Sequence, residues 1–114
     1  MAEWVIKYWA DEAGKKPLER WLDRLTREQL EAVAKELELL VMCGNELKLP
    51  HSRPLNKGLF ELRERRYGFR IYYAFYRIKQ IVLLAGGDKG TQKTDIKIAR
   101  ERLVALLTIA KVSK

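Results

Sequence analysis

Hydrophobic residues alternate with polar ones along several stretches of the chain, which is the pattern of a half-buried β-strand. The longest such stretch is GLFELRERRYGFRIYYAFYR (Gly58–Arg77), and it predicts a hairpin with strands over Leu59–Arg65 and Gly68–Arg77. WVIKYW (Trp4–Trp9) predicts an earlier strand. QIVLLA (Gln80–Ala85) is apolar on both faces and therefore predicts a central strand.

Apolar residues at three- and four-residue spacing predict three helices. Pro17 fits the first position of one helix, where its missing N–H costs nothing. Thr26 and Gln29 form a capping-box motif at the start of the second helix, and Gly44 fits the left-handed residue that ends it. The third helix begins at about Asp95. Its predicted core face holds Ile96, Ala99, Leu103, Leu106 and Leu107.

The order of these elements indicates the fold class. The segment Asn45–Gly58 contains two prolines and no periodic pattern, so it is predicted as a connecting loop. The order β-α-α-β-β-β-α then indicates a single α+β domain over residues 1–114, with a mainly antiparallel sheet. We expect the helix pair and the C-terminal helix to pack on one face of this sheet, which leaves the opposite face open for binding.

The two faces of the hairpin differ in character, because successive strand residues point in opposite directions. The predicted core face holds Phe60, Leu62, Phe69, Ile71, Tyr73 and Phe75, and the other face holds Glu61, Arg63, Arg70, Tyr72 and Tyr76. Arginines beside aromatic rings are a recurrent means of holding single-stranded RNA. Tyr72 and Tyr76 are therefore predicted to stack on bases.

Two registers of the hairpin have different consequences for its arginines. If Arg66 and Tyr67 form the turn, Arg63 lies opposite Arg70, and this pair of like charges requires an anion between them. If the register shifts by two residues, Glu61 faces Arg70 in an ordinary cross-strand ion pair. The sequence leaves both registers open.

Charge is segregated along the chain, whose formal net charge is +8. Up to Asn56 there are nine basic and ten acidic residues, whereas fourteen basic and five acidic residues follow it. This excess of positive charge in the half that holds the hairpin predicts a polyanionic partner such as nucleic acid.

Other features of the sequence narrow the class of protein. No apolar run reaches the roughly 18 residues of a membrane helix, so no membrane partner is expected. Cys43 is the single cysteine, and no Cys/His pair has the spacing of metal ligands. We therefore expect a cytoplasmic protein whose site needs no metal and no cofactor. His51, the only histidine, and Lys57 are candidates for proton transfer or substrate binding.

The loop from Gly87 to Thr94, GDKGTQKT, nearly matches a phosphate-binding G-x-x-x-x-G-K-[ST] motif. Gln92 stands where the second glycine is required, which argues against a nucleotide hydrolase. A milder expectation remains, in which Lys89, Lys93 and N–H groups at a helix start hold a phosphate.

The strings GLFELRERRYGFRIYYAFY, IVLLAGGDKGTQKT and IARERL resemble, over about residues 47–106, the phage-derived branch of the RelE/HigB toxin superfamily. The resemblance implies a ribosome-dependent endoribonuclease that cuts mRNA and is neutralised by a helix-turn-helix antitoxin. It places Arg63 and Arg70 on the active-site face, and Lys89 and Lys93 in a basic loop. Some relatives have lysines where this chain has Leu59 and Glu61, which leaves the general base open.

The composition agrees with this chemistry. RNA is cut without a metal when its 2′-hydroxyl attacks the adjacent phosphate, and fixed cations stabilise the charge that grows on the phosphoryl oxygens. With the resemblance, this makes Arg70, Arg63, Lys89 and Lys93 the expected catalytic residues, in which the arginines stabilise the charge and the lysines bind the flanking backbone. Two alternatives stay open: a ParE-like toxin that inhibits gyrase without cutting RNA, and a non-toxic relative that binds nucleic acid or protein.

Overall fold

The computed structural model describes residues 3–112, which form a five-stranded sheet and three helices. The elements are β1 (Val5–Tyr8), α1 (Pro17–Asp23), α2 (Arg27–Cys43), β2 (Ser52–Pro54), β3 (Phe60–Glu64), β4 (Phe69–Tyr76), β5 (Gln80–Gly87) and α3 (Gln92–Val112). The strand order is β1-β5-β4-β3-β2. Only the β1–β5 pair is parallel among these strands, so the expected α+β class with a mainly antiparallel sheet is confirmed.

Local sequence signals set the starts and ends of the first two helices. Pro17 is the first residue of α1. At the start of α2, the Thr26 side chain accepts a hydrogen bond from the Gln29 backbone and the Gln29 side chain accepts one in return. The helix ends at Gly44, which has a φ of 54°. These three predictions are confirmed.

Helices cover both faces of the sheet, so the expectation that all helices lie on one face is wrong. Helices α1 and α2 pack on a core of Leu18, Leu22, Val33, Leu40, Leu62, Phe69, Ile71, Tyr73, Ile81 and Leu83. Helix α3 packs on the other face, on a core of Leu59, Tyr72, Ala74, Val82, Leu84, Ala85, Ala99 and Leu103. Because β4 and β5 are apolar on both sides, each side has to be buried. Leu107, predicted to be buried, is 50% exposed.

The predicted loop Asn45–Gly58 contains the short strand β2, which the sequence pattern did not reveal. Its three residues pair with β3, so that Ser52 lies opposite Leu62 and Arg53 opposite Glu61. Pro54 has no N–H to donate and is tolerated because β2 lies at the edge of the sheet. Three residues are too few to produce a recognisable alternation.

The length and composition of a helix decide whether it can span a membrane. Within residues 3–112, every helix is too short or too polar to cross a bilayer.

Candidate active site

The hairpin adopts the register that places two arginines opposite each other. Arg63 on β3 pairs with Arg70 on β4, and residues 65–68 form the turn. The Glu64 carboxylate stabilises this turn, because it accepts hydrogen bonds from the Arg66 and Tyr67 backbone N–H groups at 2.7 and 2.9 Å. This is the first of the two registers that the sequence left open, with Arg66 and Tyr67 in the turn.

The anion that this register requires is the carboxylate of Glu61, which is fully buried. Its Oε1 atom lies 2.9 Å from Arg53 Nε and 3.9 Å from Arg63 Nε, and its Oε2 atom lies 3.6 Å from Arg70 Nε. Both readings of the sequence are therefore partly correct. The arginines face each other as in the first register, and Glu61 pairs with Arg70 as in the second. We call Arg53, Arg63, Arg70 and Glu61 the arginine cluster.

The arginine cluster carries more positive than negative charge, since three guanidinium groups share one carboxylate. Arg63 Nε and Arg70 Nε are buried and lie 3.9 and 3.6 Å from the Glu61 carboxylate, too far for a hydrogen bond, and have no other hydrogen-bond partner within the described part of the chain. Buried donors without partners are uncommon in folded proteins. The cluster is thus electropositive, and two of its buried N–H groups face a carboxylate without reaching hydrogen-bond distance.

The exposed fraction of the side chain decreases from Arg53 through Arg63 to Arg70. The side chain of Arg53 is 43% exposed, that of Arg63 is 32% exposed and that of Arg70 is 11% exposed. The terminal nitrogen of Arg70 donates to Gly68 O at 3.0 Å. The sequence pattern places Arg70 on a face left open for binding, and this expectation is wrong because the side chain is only 11% exposed and lies against the buried Glu61 carboxylate.

Tyr72 does not lie on an open surface, so the prediction that it stacks on bases is wrong. Its side chain is fully buried under α3, in the core that contains Ala99 and Leu103. Burial raises the pKa of the Tyr72 hydroxyl, and the nearby Glu61 carboxylate raises it further. Tyr72 therefore stays protonated and forms part of the floor beneath the arginine cluster.

Two N–H groups of the glycine-rich loop are already bonded within the chain. Asp88 Oδ1 accepts hydrogen bonds from the backbone N–H groups of Gly90 and Thr91 at 2.8 and 3.2 Å. The Asp88 carboxylate thus occupies these two donors, and whether Lys89 and Lys93 bind a phosphate stays a prediction. Lys89 and Lys93 have exposed side chains in this segment.

Gln92 connects the basic loop to the arginine cluster. This residue, which breaks the phosphate-binding motif in the sequence, begins α3 and donates from Nε2 to Glu61 Oε2 at 3.0 Å. Lys93 follows it directly in the first turn of the helix. The loop and the hairpin are therefore held together as one basic surface.

The remaining predicted residues lie in different places. The His51 imidazole is bound to Glu36 on α2, with 2.9 Å between His51 Nδ1 and Glu36 Oε1, so the ring is directed to that helix. Lys57 is exposed in the turn before β3. Tyr76 is half-buried at the end of β4, with the Arg77 guanidinium 5.2 Å from its ring centre. Whether Lys57, Tyr76 and His51 bind substrate stays a prediction.

Asp95 is an acidic residue near the basic loop that the sequence marked only as the start of a helix. Burial raises its pKa, a hydrogen bond from Thr91 Oγ1 to its Oδ2 atom at 2.5 Å opposes this rise, and nearby Asp88 adds to it. Its side chain lines a cavity of about 170 Å³ together with Arg24 and Arg102.

Replacing this carboxyl group should change how stability depends on pH. An acid with a raised pKa in the folded state binds its proton more readily there than in the unfolded chain, so its ionisation destabilises the fold as pH rises. We expect Asp95→Asn to raise the melting temperature, relative to wild type, more at pH 7 than at pH 3. Asp23→Asn, a substitution on the surface of α1, is the control. A difference from wild type that is the same at both pH values would contradict this expectation.

Sequence reasoning missed Arg53, which makes the shortest contact to Glu61. It lies in the segment read as a loop, and only the pairing of β2 with β3 brings it to the cluster. Among residues 3–112, no group of His, Cys, Asp or Glu side chains has an arrangement suited to a metal ion.

Comparison with known proteins gives the family of this chain. The family model described as "Phage derived protein Gp49-like" matches residues 20–104, which is most of the chain. The chain belongs to the Gp49-like family of HigB/RelE-like toxins. This match includes β2, the hairpin, the basic loop and most of α3, so the arginine cluster lies wholly inside the family domain.

Two relatives illustrate the range of similarity. A Mycobacterium tuberculosis protein named "Putative toxin HigB3" is 37% identical over 76 residues, covering 63% of this chain and 67% of that protein. An uncharacterized protein of Haemophilus influenzae is 43% identical over 49 residues, covering 42% of this chain and 50% of that protein. Membership of this family supports a toxin of a toxin–antitoxin system.

Proposed function

We propose that this protein is the toxin of a type II toxin–antitoxin system and that it cuts mRNA on the ribosome. The observation that supports this proposal best is the arginine cluster, in which three guanidinium groups share one buried carboxylate. The surplus positive charge is partly exposed and lies beside the basic loop with Lys89 and Lys93. Such a site suits the phosphate backbone of RNA.

The proposed chemistry needs no metal. The 2′-hydroxyl of RNA attacks the adjacent phosphorus, the bond to the 5′-oxygen breaks, and a cyclic phosphate forms. Negative charge grows on the phosphoryl oxygens during this step, and fixed cations stabilise it more in the transition state than in the bound substrate. We assign this role to Arg63 and Arg70, with Lys89 and Lys93 binding the flanking phosphates.

Proton transfer is the step of the reaction for which this chain offers the fewest suitable side chains. His51 is bound to Glu36, and Glu61 is fully buried within the arginine cluster. Correct orientation of the substrate can lower the activation barrier substantially. We propose that the ribosome provides this orientation. We also propose a cytoplasmic setting and a helix-turn-helix antitoxin as the neutralising partner.

Induced expression should therefore stop translation and leave cleaved messages. Mapping RNA 5′ ends after induction measures this directly, with the Arg63→Ala/Arg70→Ala double variant as the inactive control. Purified protein alone should cut free RNA much more slowly than the same protein does with ribosomes present. Growth arrest with intact mRNA and inhibited gyrase would indicate the ParE-like alternative, and absence of arrest would indicate a non-toxic relative.

A further inference from the structure

The position of Arg53 allows it to contact a second anion in addition to neutralising the buried Glu61 carboxylate. It lies opposite Glu61 across the β2–β3 pair, and its Nε atom is the guanidinium nitrogen nearest to the Glu61 carboxylate. It is also the most exposed arginine of the cluster, at 43%. A guanidinium group that is bound to a carboxylate through Nε and is otherwise partly exposed is well suited to bind a second anion.

The contacts of Glu61 explain how three like charges stay together. Arg53, Arg63 and Arg70 each direct Nε toward this carboxylate. The terminal nitrogens of Arg53 and Arg63 remain for other partners, whereas Arg70 donates from one terminal nitrogen to Gly68 O. Gln92 fixes the other side of the carboxylate through Oε2. Without this anion the arginines would repel one another across neighbouring strands.

We propose that Glu61 is a positioning residue, and that it holds Arg53 beside Arg63 as a second exposed phosphate-binding arginine, an inference that rests on the proposed function. The fully buried carboxylate cannot meet the substrate itself, and it acts through the guanidinium groups that it orients. Cations held in place before the substrate arrives stabilise a transition state without the cost of reorganisation.

Salt dependence of RNA binding tests the role of Arg53. The probe is a labelled single-stranded RNA with 2′-O-methyl groups throughout, which cannot be cut because the attacking hydroxyl is blocked. For single strands, each lost phosphate contact reduces the slope of log K against log salt concentration by about 0.7. We expect this reduction for Arg53→Ala and none for Arg20→Ala, which removes an equal charge from the exposed surface of α1.

The outcomes of this measurement are decisive for Arg53. An unchanged slope for Arg53→Ala would overturn the proposal, as would equal reductions in both variants, since these would reflect net charge alone. Failure of the wild-type protein to bind the probe at low salt would also overturn it. Because the probe is not cleaved, the result does not depend on whether the protein is a nuclease.

Glu61→Gln tests positioning separately from charge. This variant removes one negative charge, so simple electrostatics predicts tighter binding of the probe and no loss of cleavage. The positioning role predicts that binding is kept while the rate of mRNA cleavage in cells, per folded molecule, falls at least tenfold. Cleavage at the wild-type rate would overturn the role of Glu61.

If Glu61→Gln folds poorly, Glu61→Asp provides a second test of the positioning role. Glu61→Asp keeps the charge but shortens the side chain, so it should also bind the probe and cut slowly. If both variants fail to fold, the salt dependence of Arg53→Ala decides the proposal. If wild-type protein binds the probe but cuts no RNA in cells, the proposed function fails while the binding result for Arg53 stands.

Discussion

Arg70→Ala is expected to abolish toxicity, with cleavage of mRNA reduced on the order of 10²–10³-fold. This is the usual effect of removing one fixed donor aimed at a developing oxyanion. The side chain is only 11% exposed and bonds to Gly68 O, so its removal should also destabilise the fold, by roughly 1.5–3 kcal/mol. A domain with a stability of about 5 kcal/mol or more stays mostly folded after such a loss. Function should therefore fall much further than stability.

The measurement is RNA 5′-end mapping in cells, compared with thermal melting of the purified variants. Arg66→Ala is the matched control, because Arg66 is exposed in the turn of the same hairpin and its removal changes the charge equally. Arg70→Lys should restore only part of the activity, since an ammonium group cannot reproduce the planar contact of guanidinium with phosphate. An alanine variant that is folded and as toxic as wild type would show that Arg70 is not in the active site.

Gly44→Ala is expected to destabilise the protein by roughly 2–6 kcal/mol, the sum of two effects. Gly44 has a φ of 54° and a ψ of −126°, a conformation that residues with a side chain rarely adopt. A Cβ atom at this position would also overlap the Trp4 indole ring. The ring lies against Phe75, with 5.0 Å between ring centres, so displacing it would disturb this aromatic contact.

Thermal melting measures this loss, and the melting temperature should fall by at least roughly 8 °C. Gly14→Ala is the matched control, because Gly14 has a φ of 81° and no atom lies within 4 Å of the position that a Cβ atom would take there. It therefore reports the backbone effect alone. Equal losses of stability in the two variants would mean that the Trp4 ring moves aside without cost and that its packing against Gly44 contributes nothing to stability.

The sequence predicted the features of this protein that depend on neighbouring residues. Thr26 and Gln29 cap α2 through bonds that span three positions, and Pro17 starts α1 for the same local reason. The sequence offered the register in which Arg63 faces Arg70 as one of two alternatives, and the structure adopts it. The resemblance to the toxin family, carried by a continuous string of residues, was recognisable without a structure and is confirmed.

Only the tertiary structure decided how the site is enclosed, because enclosure depends on residues far apart in the chain. Helix α3 covers the face of the sheet that the sequence left open and buries Tyr72 there. Arg70, on the same face, is only 11% exposed. Gln92 reaches Glu61 across 31 positions, and Arg53 reaches it through a strand too short to show a pattern. Alternation determined which side chains share a face of the hairpin, whereas packing determined that the anion between its arginines is a carboxylate of the protein itself.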